Sequence, residues 1–433
     1  MNTPSAALPR FNAYYDVNRK SYYILNRTTD YIEVLETPLR RHMRASGINP
    51  ECERGQLVSE LEQALNDFQL DCAVHYAGSL AGCSKGIHES CGKRILITTS
   101  PKLIEPAPGD FPTLSKLLEN LFADENTDQR PFVLAWLKIA IEALRAGVIR
   151  PGQVLVMAGP ADCGKSLLQN LITLLLGGRA AKPFRYMSGA TPFNSDLFSA
   201  EHLMIEDESA STDIRVRRAL GSKIKDLTVN EVQSCHAKGR EALSLRPFWR
   251  VSITLNDEPE NMMILPPLDD SISDKILLLK VHKREMPMRT DTTDGRTRFW
   301  AALIGELPAF VHYLMNWTIP QDIRCDRFGA KAFHHPDLLS AIDDLAPETR
   351  LLNLIDTIIF ADPTSINQKV ELTADEIESR LLNSNMACEA RRLLSWNNAC
   401  GTYLGRLHAK HPDRFENRRS PTSRFWVIRS MTP

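Results

Sequence analysis

Apolar residues recur three and four positions apart in RPFVLAWLKIAIEALRAGV, residues 130–148, and predict one amphipathic helix. Upstream, YYDV and SYYILN within residues 10–47 read as short strands, followed by a helix from Thr37 to about Ser46. EPAPGDFPTLSKLL, residues 105–118, is rich in proline and reads as a linker. From Gln153 to about Val281, apolar runs of strand length alternate with helical patterns, the signature of an α/β domain. FWAALIGELPAFVHYLMNW, residues 299–317, predicts one or two helices packed on that domain.

After DDLAPETR, residues 343–350, the character changes. ETRLLNLIDTIIF and TADEIESRLL read as helices, a further helix falls near Asn398–Lys410, and RFENRRSPTSRFWVIRS leans towards β-structure. Helices followed by a strand pair, in a module of this size, suggest a winged helix. The expected domains are an N-terminal α+β accessory or oligomerisation domain (1–128), a central α/β domain (129–345) and a C-terminal winged helix (346–433).

Composition narrows this picture only a little. Across 433 residues, 43% hydrophobic and 24% charged positions suit soluble globular domains rather than disorder. The net charge of −1 conceals a basic end: Glu389 to Pro433 holds nine Arg or Lys against three Asp or Glu. The opening MNTPSAALPRFNAYY lacks the charged-then-apolar pattern of an export leader, and no apolar run approaches the roughly 18 residues of a membrane span. Nine irregularly spaced cysteines suit a reducing compartment, so the cytoplasm is expected.

The chemistry is concentrated at GPADCGKS, which matches G-x-x-x-x-G-K-[ST] between an apolar strand, VLVMA, and a helix, LLQNLITLLLG. The glycines let backbone N–H groups turn towards phosphates, and the helix N-terminus adds its dipole. The nucleotide-binding residues run from Gly159 through Pro160, Ala161, Asp162, Cys163, Gly164, Lys165 and Ser166 to Leu167. Lys165 is expected on the β- and γ-phosphates and the Ser166 hydroxyl in the shell of a Mg²⁺ ion, with Cys163 a neutral filler. In EHLMIEDES, residues 201–209, an apolar strand ends in Glu206, Asp207 and Glu208. Glu206 is assigned to the metal and Asp207 to the attacking water, with Glu208 able to replace either. The strand VSITL ends at Asn256, whose amide can orient water against a γ-phosphate.

The order of these motifs over residues 130–285 resembles the superfamily 3 helicases of the AAA+ class, in particular the replicative enzymes of phages, plasmids and mobile elements. KIKDLTVNEVQSCHAKGREALSLRPFW, residues 223–249, is similar to the family's β-hairpin, which carries basic residues into a central pore. The resemblance implies His236, Lys238 and Arg240 at that hairpin's tip, on the backbone of single-stranded DNA. RFGAKAFHHPDLLSAI, residues 327–342, through the C-terminal wing also resembles the region C-terminal to the motor in such helicases. The family's arginine finger has no arginine at the matching place: Lys275 stands there, and Arg215, Arg217 and Arg218 are the other candidates for the role.

In the basic end, Arg406 and Lys410 fall on a helix and Arg418, Arg419 and Arg424 on the wing, where they are expected to meet duplex or forked DNA. Phe415, Phe425 and Trp426 are expected in the core beneath. Cys72, His75, Cys83, His88 and Cys91 invite a zinc reading, but five ligands without paired knuckles favour buried thiols and ordinary histidines.

The expected function is therefore an ATP-dependent DNA helicase that closes as a ring, a homo-hexamer or similar, with ATP and Mg²⁺ at subunit interfaces. The resemblance implies 3′ to 5′ movement and work beside a separate primase or polymerase. The alternatives are an ATP-gated DNA-binding initiator or defence NTPase without processive unwinding, and an AAA+ remodeller of proteins.

Overall fold

The computed structural model describes residues 13–124, 127–206, 214–266, 268–344, 346–360, 369–419 and 424–430. The chain divides into two units, the first ending at His334 and the second beginning at His335.

The first unit opens with β1 (Ala13–Asp16), β2 (Ser21–Leu25) and β3 (Tyr31–Val34), joined by β4 (Ala73–Val74) in the order β3-β2-β1-β4. Between β3 and β4 come α1 (Glu36–Ala45), close to its expected bounds, and α2 (Glu60–Leu70). Leu39 and Met43 of α1 and Leu61, Leu65 and Phe68 of α2 bury one side of this sheet against Tyr22 and Ile24. Next, β5 (Tyr76–Gly78), β6 (Gly86–Ser90) and β7 (Lys93–Ile97) form a small sheet of order β5-β7-β6. Only the first half of the expected proline-rich linker lacks regular structure: from Pro112 it is α3 (Pro112–Phe122), which buries Leu114, Leu117 and Leu118, and α4 (Arg130–Arg145) follows.

The α/β part follows as β8 (Val154–Ala158), α5 (Lys165–Leu175), β9 (Ala180–Ala181), α6 (Phe184–Met187), β10 (His202–Glu206) and α7 (Ile214–Val229). A hairpin of β11 (Gln233–Cys235) and β12 (Leu243–Leu245) precedes β13 (Arg250–Leu255), α8 (Pro259–Met262) and β14 (Ile276–Lys280). Among the described residues, five strands pair in the order β14-β8-β13-β10-β9, every neighbouring pair parallel. Runs such as VLVMA and ILLLK are apolar throughout because both faces of such a sheet are covered. This is an α/β fold whose all-parallel sheet is consistent with a P-loop or AAA+ core.

The long helix α9 (Thr293–Asn316) is a single element despite Pro308 inside it, and the Pro308 carbonyl accepts from Ala107 N at 3.1 Å. Leu121 of α3, Trp136 of α4, Leu168 and Ile172 of α5 and Phe310 of α9 share one buried cluster with Leu155 of β8 and Leu277 of β14. The pair β15 (Arg324–Cys325) and β16 (Gly329–Ala330) closes the unit.

The early residues and the α/β part are stitched together. Glu201, fully buried, accepts from Gly82 N at 2.8 Å and from Arg179 Nε at 2.9 Å, while Arg179 also reaches Thr99 O at 3.3 Å. Ala81 N donates to Phe198 O and Ala81 O accepts from Phe248 N. An accessory region ending near 128 is thus bonded directly into the sheet's surroundings.

The second unit comprises α10 (Pro336–Asp344), α11 (Pro347–Ile358), β17 (Lys369–Thr373), α12 (Ala374–Leu382), α13 (Ala387–Leu393), α14 (Ala399–Lys410), β18 (Phe415–Arg419) and β19 (Arg424–Arg429). Its sheet has the order β17-β19-β18, antiparallel throughout. Phe415 and Trp426 lie in its core with Leu351, Leu354, Ile377 and Leu404, as expected for them. No helix among the described residues is long and apolar enough to cross a membrane.

Candidate nucleotide and nucleic-acid sites

The strand register brings three loops to one edge of the parallel sheet. Ala158, the last residue of β8, lies opposite Leu255 of β13 on one side and Lys280 of β14 on the other. Beyond β13, Glu206 of β10 lies opposite Thr254. Gly159, Asn256 and Glu206 therefore leave the carboxyl ends of neighbouring strands, where open α/β sheets bind ligands.

The phosphate loop is tightly specified. A Cβ on Gly159 would stand 2.2 Å from the carbonyl oxygen of Val281, so only glycine fits beneath that strand extension. Gly164 has φ +104°, a left-handed conformation, immediately before α5. The first helical bond of α5 runs from Leu168 N to Gly164 O. The N–H groups of Lys165, Ser166 and Leu167 precede it and have no carbonyl one turn back, the usual anion-facing end of a helix.

Lys165 is only 8% exposed. Its Nζ donates to Gly159 O at 2.6 Å, Pro160 O at 2.7 Å and Asn256 Oδ1 at 3.2 Å, and lies 3.8 Å from Cys163 Sγ. The ammonium thus sits over the loop, joined to the amide on the adjacent strand end. Glu206, partly exposed, receives Lys182 Nζ at 2.7 Å. A serine hydroxyl and a carboxylate are hard oxygen donors that suit Mg²⁺. Asp207 and Glu208 lie outside the described residues.

The remaining sequence-named groups are spread more widely. Lys275 precedes β14, whose first residue Ile276 pairs with Val154, the first of β8; it lies at the opposite end of the sheet from the phosphate loop. Its side chain is buried and its Nζ bonds to Asp274 at 2.6 Å, and Asp274 also receives Arg327 at 2.5 Å. Arg217 Nε donates to Leu265 O at 3.0 Å, Arg218 is exposed, and the side chain of Arg215 lies outside the described residues.

The expected basic hairpin is present as β11 and β12, with Cys235 opposite Leu243. Asn194, buried, fixes its base: it accepts from His236 N at 2.8 Å and donates to Ser234 O at 2.9 Å. His236 is half-buried against Phe193, 5.0 Å between ring centroids, whereas Lys238 and Arg240 are exposed on the turn. His236 therefore seats the loop, and the two longer cations form its outer surface.

In the second unit, Arg406 and Lys410 share Glu348, at 3.3 Å and 3.4 Å. Burial opposes ionisation of Glu348, but its own backbone N–H and the charges of Lys410 and Arg406 outweigh that and hold its carboxyl below the ordinary value. Arg418 pairs with Glu416 at 3.0 Å, Arg424 lies over the Trp426 ring, and Arg419 is exposed. Phe425 is half-buried on β19. Among the described residues, no three His, Cys, Asp or Glu side chains are grouped to hold a metal ion.

Sequence reading missed Gln169, Lys182, Asn194 and Glu348. Gln169 did carry a signal: it stands four residues after Lys165, one helical turn on, and is polar within an apolar helix.

No protein-family model and no curated protein sequence matches the chain. Among solved structures, an apo structure of the NrS-1 C-terminal region is similar with a TM-score of 0.58 at 11% identity, covering 97% of this chain and 96% of that one. The A form of the same region gives 0.56 at 12% identity, covering 96% of each. A structure of the SCCmec type IV Cch active helicase covers 93% of this chain and 73% of that chain, at a TM-score of 0.32 and 10% identity. The chain thus has the fold of the NrS-1 C-terminal region over nearly its full length.

Proposed function

We propose that the protein is an ATP-dependent DNA helicase of a phage, plasmid or mobile element, forming a ring around single-stranded DNA and hydrolysing ATP with Mg²⁺ at its subunit interfaces. The observation that carries this reading is the joining of Lys165 to Asn256 at the carboxyl edge of a parallel sheet, with Glu206 on the next strand end. Lys165 holds the β- and γ-phosphates, Ser166 and Glu206 hold the metal, Asp207 polarises the attacking water and Asn256 orients it. The exposed cations Lys238 and Arg240 grip phosphodiesters without reading bases. The second unit, with its order helix, strand, helices and strand pair, acts as a winged helix on duplex or forked DNA.

A second reading, an ATP-gated DNA-binding protein without processive unwinding, draws support from Lys275. Buried and tied to Asp274, it is poorly placed to reach a neighbour's γ-phosphate. Strand displacement on a forked duplex separates the two, with Lys165→Ala as control and mass photometry reporting ring formation. Displacement by a ring supports the helicase; DNA-stimulated hydrolysis without displacement supports the gated binder; hydrolysis indifferent to DNA overturns both.

A further inference from the structure

Strands covered on both faces are ordinarily apolar, yet β10 and β13 bury His202, Ser252 and Thr254, and α5 buries Gln169, none more than 2% exposed. Three of these groups, His202, Ser252 and Gln169, close a ring of hydrogen bonds with the half-buried Thr173 of α5. Gln169 Nε2 donates to Ser252 Oγ at 2.8 Å, and Ser252 Oγ lies 2.8 Å from His202 Nε2. His202 Nδ1 lies 2.8 Å from Thr173 Oγ1, and Thr173 Oγ1 donates to Gln169 O at 3.1 Å.

The proton directions follow from the ends that cannot reverse. The Gln169 backbone carbonyl only accepts, so the Thr173 hydroxyl donates there and accepts from His202 Nδ1–H. His202 Nε2 is then the acceptor and takes the Ser252 proton, while Ser252 Oγ accepts from the Gln169 amide. Burial pushes the His202 pKa down to about 3, which keeps the ring neutral. Bonds aligned head to tail in a dry interior strengthen one another.

The same amide reaches further. Gln169 Nε2 lies 3.4 Å from Ile205 O, and Gln169 Oε1 accepts from Thr254 Oγ1 at 3.3 Å. Ile205 immediately precedes Glu206, Thr254 comes two residues before Asn256, and Gln169 follows Lys165 by one helical turn. One side chain is therefore bonded to both strands whose ends carry the acid and the amide, from the helix whose start carries the lysine.

We propose that Gln169 is a positioning residue for triphosphate hydrolysis, keying α5 to β10 and β13 so that Lys165, Glu206 and Asn256 hold one mutual geometry. This rests on the reading of the phosphate loop as an ATP-hydrolysing site. Binding of the triphosphate needs chiefly the loop's own N–H groups and Lys165, whereas the chemical step also needs the two strand ends. Loss of the amide therefore acts on turnover more than on affinity.

The test uses the full chain carrying Gln169→Leu, which keeps the side chain's bulk and removes its amide. Steady-state ATP hydrolysis is measured beside equilibrium binding of a fluorescent ATP analogue. The expected result is a fall in kcat of about ten-fold or more, since misplacement by ~1 Å costs about a hundred-fold, with KM and analogue affinity nearly unchanged. Thr254→Val and Ser252→Ala, each removing one of the bonds to the Gln169 amide, give smaller falls of the same kind and carry the test if Gln169→Leu does not fold. Wild-type kcat in the variants, or equal losses in kcat and affinity, overturns the positioning role. Absence of hydrolysis by the wild-type protein, or hydrolysis insensitive to Lys165→Ala, overturns the reading of the site itself and the role with it.

Discussion

The ammonium of Lys165 and the side-chain carbonyl of Asn256 lie 3.2 Å apart, although they are separated by 91 residues of chain. The contact exists because β13 inserts beside β8 in parallel register, so that a helix start and a strand end meet at one edge. Cation and amide are thereby joined over the glycine loop at the carboxyl edge of the sheet.

Removing the cation is expected to abolish turnover. Lys165→Ala should lower ATP hydrolysis by about a hundred-fold or more, the scale for deleting one preorganised donor in a dry site. Asn256→Ala should lower kcat while leaving nucleotide affinity nearly intact. Coupled-assay kinetics and equilibrium binding measure the two effects separately.

Gly159→Ala should destabilise the protein by roughly 1–3 kcal/mol, the range for overpacking. The new Cβ meets the backbone oxygen of Val281, which cannot step aside without disturbing the strand extension. Gly164→Ala meets the flexible end of Met286 instead, at 3.1 Å, so its cost comes from the left-handed backbone, about 1–2 kcal/mol. Denaturant midpoints of the two variants provide the check.

On the hairpin, Lys238→Ala and Arg240→Ala should each weaken single-stranded DNA binding regardless of sequence. Each should also reduce the slope of log affinity against log salt by about 0.7. Asn194→Ala should destabilise the loop's base by about 1 kcal/mol, because it removes two part-buried bonds to the backbone of Ser234 and His236. Salt titrations by fluorescence anisotropy distinguish a lost phosphate contact from a displaced loop.

Acid should loosen the second unit through Glu348. A carboxyl held below its ordinary value contributes stability that is complete at neutral pH and is lost as pH falls through the lowered value, below about 4.3. Glu348→Gln should cost about 1 kcal/mol at neutral pH and flatten this acid dependence. Hydrogen exchange of the amides of α11 and α14, recorded against pH, reads the difference.

Much of the parallel-sheet region was legible where neighbours in sequence are neighbours in space. VLVMA, the glycine loop and the α5 helix are contiguous, so their pattern alone predicts the strand, the phosphate turn and the helix. In the second unit α11, α12, α14 and the β18–β19 pair were legible for the same reason, whereas β17 and α13 were not. Long-range register was not. Gln169 and Ser252 are 83 residues apart, and nothing local indicates that β13 would lie between β8 and β10. Arg406 looked like a free cation until the fold brought Glu348 to it across 58 residues. Lys275 looked like a reaching finger because its burial depends on the strand packing around it.

Glu201 sets a practical limit on dissecting the chain. Its carboxylate has no access to solvent and relies on Gly82 as well as Arg179 for its bonds. A truncation that starts near 129 would take Gly82 away, strand a buried anion with one fewer donor, and open Phe198 and Phe248 to water. A minimal fragment built around the parallel sheet must therefore keep the segment around residues 79–100, and a fragment lacking it should be recovered as aggregate, whatever the state of its glycine loop.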